Sequence, residues 1–169
     1  MSTGTAEQDA VRICRELIRI DSSNYGDSSG PGERGVAERV MELLTEVGYD
    51  PPYLESEPRR GTVLLRVPGA DPTRDALVVH GHTDVVPAEA SDWKMDPFGG
   101  EEMDGLIWGR GAVDMKDMDA MMLAVLRELK RSGRKPPRDL AVAFFADEEA
   151  GGRLGSHWAV DNHPEFFEG

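Results

Sequence analysis

The chain has 169 residues, 39% apolar and 30% charged, a balance that suits one globular domain with a real core rather than a disordered segment. Its formal net charge of −13, from 19 basic and 32 acidic side chains, excludes the basic face that non-specific nucleic-acid binding requires. No apolar run reaches the roughly 18 residues of a membrane span, and no charged segment followed by an apolar one opens the chain, so a soluble, cytoplasmic protein with neither nucleic-acid nor membrane partners is expected.

Thr5, with Gln8 three residues on, is a capping-box pattern that opens a helix carrying Val11, Cys14, Leu17 and Ile18 at helical spacing. The single cysteine, Cys14, has no partner for an internal disulfide and sits on that apolar face as a small buried thiol. A polar, Gly- and Pro-rich loop runs from Asp21 to Gly32. A second helix follows, with Val36, Val40, Leu43, Leu44 and Val47 on one face and Gly48 as its stop. Glu33, Glu38, Glu42 and Glu46 read as its solvated acids.

Tyr53-Leu54 and Val63 to Val67 predict two strands joined across the charged turn Glu57 to Gly61. Ala76 to Val79 is apolar on both faces, as an interior strand of a covered sheet would be. Asp104-Gly105 is a two-residue hairpin signal before Leu106-Ile107-Trp108. Lys116 to Ser132 predicts the longest helix, with Met118, Met122, Val125, Leu126 and Leu129 turned inward as plain core and Gly133 ending it. Leu140 to Ala146 is another uninterrupted apolar strand, followed by three acids and a shorter helix near Ser156 to Val160. Strands alternating with helical patterns predict an α/β three-layer sandwich with a mixed, largely parallel sheet. Ligands of such folds collect at the carboxyl ends of strands, where the acidic segments of this chain begin.

Three segments carry the chemistry. In Gly81-His82-Thr83-Asp84, His82 follows a buried strand directly, and Asp84 shares its side if the chain stays extended. A carboxylate accepting the imidazole N–H would set the tautomer and free the other nitrogen for a metal, although a hydrogen-bonded structural histidine explains the triplet as well. Asp114 closes Trp108-Gly109-Arg110-Gly111-Ala112-Val113 just before a helix, where an acid also serves the dipole. Asp147-Glu148-Glu149 places three adjacent acids after an apolar strand, an arrangement that needs open solvent or a cation. Imidazole and carboxylate together suit zinc, with one glutamate as ligand and the other as base; spacing alone leaves open which is which.

With Val78-Val79-His80-Gly81-His82-Thr83-Asp84-Val85-Val86-Pro87, Trp108 to Lys116, and Asp147-Glu148-Glu149 followed by Gly151, Gly152 and Gly155-Ser156, the chain resembles a co-catalytic zinc peptidase family. That family includes acetylornithine deacetylase, succinyl-diaminopimelate desuccinylase, aminoacylase, carboxypeptidase G and various dipeptidases. Trp93, Asp96-Pro97-Phe98 and Asp104-Gly105 fit the pattern too. The resemblance implies a hydrolase that cleaves an amide bond, in a short peptide or N-acyl amino acid, with metal-activated water. It implies two Zn2+ ions, with Co2+ or Mn2+ as substitutes. His82 would ligate one metal, Glu149 the other, and Asp114 both. Asp84 would orient and polarise His82, and Glu148 would be the general base. A cis Asp114–Met115 peptide is also implied.

Asp117 departs from the glycine common in the family, a tolerable acid at a helix start. The family also supplies a further acidic ligand after Glu149 and a late histidine, and its chains are more than twice as long. His157, Asp161 and His163 are poor substitutes, better explained as structural or surface groups. Residues 1–169 are therefore expected to form the N-terminal portion of a catalytic domain. The lid domain, through which any dimer would form, and the rest of the catalytic domain would lie elsewhere. An apolar edge or face should then stand exposed. The rival reading is a truncated, inactive metal-binding or interaction fragment. A metal-dependent phosphoesterase would need cations aimed at the anion, for which only Arg110, Lys116 and Arg153 are near.

Overall fold

The computed structural model describes residues 5–168; the first four residues and Gly169, the ends of the expected single domain, lie outside it. Helix α1 (Ala6–Ile18) starts at the Thr5–Gln8 capping box, both of whose hydrogen bonds form, and buries Ile13, Cys14, Leu17 and Ile18. Val11, expected on that face, is 41% exposed, because the buried stripe centres one residue round the helix. Helix α2 (Arg34–Thr45) buries Val36, Val40, Leu43 and Leu44 as its spacing dictates. Glu33, read as solvated, is instead fully buried and accepts a hydrogen bond from Arg60 at 2.7 Å.

Strands β1 (Tyr53–Glu55), β2 (Gly61–Val67), β3 (Leu77–His82) and β6 (Leu140–Phe145) form one sheet in the order β1-β2-β6-β3. The sheet is mixed, as expected, but the balance runs the other way from largely parallel: β1–β2 and β2–β6 are antiparallel, and only β3–β6 is parallel. A hairpin of β4 (Glu101–Met103) and β5 (Leu106–Trp108) turns at Asp104-Gly105, both with positive φ (56° and 76°), as a type I′ turn demands. Helix α3 (Lys116–Ser132) runs to Gly133, whose φ of 67° stops it. After β6 come one π-helical turn, Arg153–His157, the short helix α4 (Trp158–Asn162) and a 3-10 turn, Pro164–Phe166.

Alternation along β2 and β6 makes three layers. Val63, Leu65, Val67, Val142 and Phe144 face α1, α2 and α3 in the main core. Leu64, Ala143 and Phe145 face the other way, against Ala159, Trp158, Phe166 and Phe167. The sheet thus has a thick helical side and a thin one.

At β3 the expected exposed apolar edge appears, while the interior placing of this strand and the inward placing of Met118 and Val125 fail. β3 is an edge strand among the described residues, not an interior one, and Leu77 and Val78 are 49% and 40% exposed. Beside it, Met118, Met121 and Val125 of α3 are exposed as well, whereas Met122, Leu123 and Leu126 are buried. Only part of the apolar surface of α3 is therefore core. Val79, Met118, Met121, Met122, Val125, Leu126, Leu140 and Val142 line an apolar groove of about 200 Å³ there.

Candidate metal centre

Parallel pairing of β3 with β6 sets His82 opposite Phe145, so that the segments leaving both strands emerge side by side. His82 is the last residue of β3. Glycine is required just before it, because a side chain at Gly81 would collide with the Asp119 carboxylate. After β6, Asp147 adopts a left-handed conformation (φ 65°) and turns the chain into Glu148 and Glu149. Asp114 arrives from the loop before α3, and its peptide bond to Met115 is cis.

The three elements converge. One donor atom from each of His82, Asp114 and Glu149 lies within 4.8 Å of the other two. His82 Nε2 is 3.0 Å from Asp114 Oδ1 and 3.7 Å from Glu148 Oε2. The His82 side chain is only 8% exposed, while Asp114 and Glu148 are 74% and 58% exposed. The imidazole therefore forms a fixed floor from which the carboxylates project into solvent.

Asp84 lies beneath them, fully buried. His82 Nδ1 is closer to the Asp84 carbonyl oxygen (3.0 Å) than to its carboxylate (3.4 Å). The carboxylate accepts instead from the main-chain N–H groups of Glu148 (3.1 Å) and Glu149 (3.0 Å), and from Asn24 (2.9 Å). Asp84 thus positions the acidic turn as much as the imidazole, a task its spacing from His82 did not suggest.

The neighbouring carboxylates dominate the electrostatics of the group. Burial works against a charged His82 ring, but Asp84 and Glu148 outweigh it and raise the pKa to about 9. Burial also raises Glu149, where His82 pulls the other way and Asp114, Asp84 and Glu148 add to the rise. Crowded carboxylates beside an imidazole with one ring nitrogen anchored are the donor set that a divalent ion such as zinc satisfies. The donors present fit such an ion.

Sequence reading missed several residues here. Asn24, Glu33 and Arg60 form a buried polar chain behind Asp84, and none belongs to a periodic pattern or motif that would have exposed it. Lys116 is completely buried, with Nζ donating to the carbonyls of Leu17 (3.0 Å) and Ile20 (2.8 Å) at the end of α1. The carboxylate of Asp119, also fully buried, has no hydrogen-bond partner among the described residues, and burial raises its pKa well above the ordinary range. His157, Asp161 and His163 lie outside the metal-ligating group, and the His163 ring stacks edge-on against Trp158 at 5.3 Å.

Among known proteins, the family model described as Peptidase family M20/M25/M40 matches residues 78–168. Aminoacylase-1 of Sus scrofa is 35% identical over 161 residues, covering 95% of this chain and 38% of the relative. Succinyl-diaminopimelate desuccinylase of Rhodospirillum centenum is 32% identical, covering 90% and 39%. Human carnosine dipeptidase 1 shares the fold, with a TM-score of 0.77 at 23% identity over 95% of this chain and 36% of its own. The chain therefore spans less than two fifths of the length of the relatives it matches.

Proposed function

Because this chain belongs to peptidase family M20/M25/M40, we propose that it supplies the N-terminal, metal-holding portion of a hydrolase that cleaves an amide bond in N-acyl amino acids or short peptides. The observation that carries the reading is the convergence of His82, Asp114 and Glu149 at the carboxyl ends of β3 and β6, with Glu148 alongside. His82 would hold one metal ion, Glu149 a second, and Asp114 both. Zinc is the metal that this donor set suits, with cobalt or manganese as substitutes. When bound, the metal pair supplies Lewis acidity, polarising the scissile carbonyl and making water a stronger acid.

The chain's own residues do the rest. Glu148 would take a proton from water and return it to the leaving amine; its exposure and its 3.7 Å distance from the His82 ring support that role. Asp84 keeps the imidazole and the main chain of the acidic turn in place while Glu148 remains free to move its carboxyl. Among the described residues Cys14 is buried in the core and the nearby Ser22 hydroxyl is committed to the Thr83 carbonyl, so water would be the nucleophile.

The free edge of β3 and the exposed outer face of α3 belong to the same proposal. In the complete protein they would be covered by the remainder of the catalytic domain, which the relatives' greater length can supply; a lid and any dimer contact would lie in that portion. A second reading, an inactive metal-binding fragment, is favoured by the same shortfall in length.

Titrating the 169-residue chain with Zn2+ tests the assignment. Weak binding is expected, lost in His82→Ala and Glu149→Ala and retained in Glu148→Gln. Binding indifferent to His82 and Glu149 would sink the metal centre. Hydrolysis of N-acetyl amino acids by this chain alone should be undetectable. Robust turnover, abolished by Glu148→Ala, would overturn the fragment reading and keep the chemistry.

A further inference from the structure

We propose that Asn24, in the loop after α1, is a positioning residue that clamps the turn bearing Glu148 and Glu149. This rests on the metal-centre reading above and extends it to a residue far from the acids in sequence. The segment Ser22 to Asn24 lies beside residues 83–85 as a short extension of the sheet. Ser23 bridges Val85 in parallel, Asn24 N–H donates to the Val85 carbonyl at 2.9 Å, and the Ser22 hydroxyl donates to the Thr83 carbonyl at 2.7 Å. The Asn24 backbone is therefore fixed, and the residue is only 5% exposed.

The side-chain amide uses all of its hydrogen-bonding capacity. Nδ2 donates to Asp84 Oδ2 at 2.9 Å and to Asp147 Oδ1 at 3.2 Å. Oδ1 accepts from Gly26 N–H at 3.0 Å and from Arg60 at 3.4 Å. Rotating the amide by half a turn would point oxygen at two carboxylates and NH2 at two donors, so the chemistry of the neighbours fixes its orientation.

Those two carboxylates are the supports of the acidic turn. Asp84 accepts from Glu148 N–H and Glu149 N–H, while Asp147 accepts from Leu154 N–H at 3.0 Å on the far side. Asp84 and Asp147 are both buried, and apart from Arg60, 3.9 Å from Asp147, Asn24 is what stands between their charges on this side. Removing its amide would leave two buried carboxylates facing each other, each short of a donor. The turn would relax where Glu149 and Glu148 must point.

Hydrogen exchange and zinc binding, measured on the 169-residue chain, separate this role from general stability. In Asn24→Ala, the amides of Glu148 and Glu149 should exchange about tenfold faster while those of Val142 and Phe144 in β6 stay unchanged. Zinc affinity should fall about 10- to 100-fold. Asn24→Ser, which keeps one donor, should show the same selectivity to a smaller degree and serves if the alanine variant does not fold. Acceleration that is equal in the turn and in β6, or absent from both, would overturn the clamp. So would a variant that binds zinc as tightly as the unaltered chain. Failure of the unaltered chain to bind zinc at all would overturn the metal-centre reading instead.

Discussion

At the carboxyl ends of β3 and β6, the main-chain amides of Glu148 and Glu149 each have a carboxylate to bond, and His82, Asp84, Asn24 and Asp147 are buried around them. At the other end of β3, Leu77 and Val78 stand exposed beside an edge with no strand partner among the described residues, next to bare Met121 and Val125. The rim is held by directional contacts between segments distant in sequence. The flank is apolar surface with nothing to specify it. A polar site must be assembled to better than an ångström to work, whereas an apolar face needs only to be covered.

The sharpest way to break this contrast is Asp84→Ala. It strips the acceptor from two backbone amides and from Asn24, all buried or half-buried, and should cost roughly 3–5 kcal/mol in urea unfolding. A loss below about 1 kcal/mol would put the rim on a par with ordinary surface.

The second test uses pH. Burial, against the pull of Arg60 and with a push from Asp84, lifts Glu33 from the ordinary 4.5 to about 7 in the folded state. Between those values the folded chain holds a proton that the unfolded chain has lost. The stability so conferred is present at the acid end of the window and falls as pH rises through it, by roughly 3 kcal/mol at most. Glu33→Gln should flatten that decline; an unchanged slope would remove Glu33 from the buried chain behind Asp84.

Metal is the third probe. Zinc at about ten times its dissociation constant should add about 1.4 kcal/mol to stability, an increment reversed by chelator and missing in His82→Ala. The smallest effect belongs to the flank. Met121→Lys or Val125→Lys should alter unfolding by less than about 0.5 kcal/mol while reducing self-association in light scattering. A large stability loss there would mean that this face is already packed.

How much of this could be read beforehand follows the same division. The capping box at Thr5, the hairpin at Asp104-Gly105 and the whole span of α3 are local in origin, and they match the structure. The candidate metal-ligating residues were legible through family likeness, and the fold brings His82, Asp114 and Glu149 together. Asn24, Glu33 and Arg60 were not legible, since each draws its meaning from partners 27 to 123 positions away. Calling Glu33 solvated assumed that an acid beside a helix faces water; Arg60, arriving from the turn before β2, made burial tolerable. The place of β3 was misjudged for a different reason. An apolar run records that a strand is meant to be covered on both faces, but not whether its cover lies within the same 169 residues.

The parallel register of β3 on β6 also governs when the centre comes into being. Leu77 pairs with Leu140 and His82 with Phe145, so the two strands meet only after a long connection that includes all of α3 has been closed. A slip of one residue would turn the His82 imidazole to the opposite side of the sheet. If the proposed centre takes an ion, its capture is expected late in chain collapse, once the strands have mated in the right frame. In refolding with zinc present, metal uptake should never precede the protection of the β3–β6 amides.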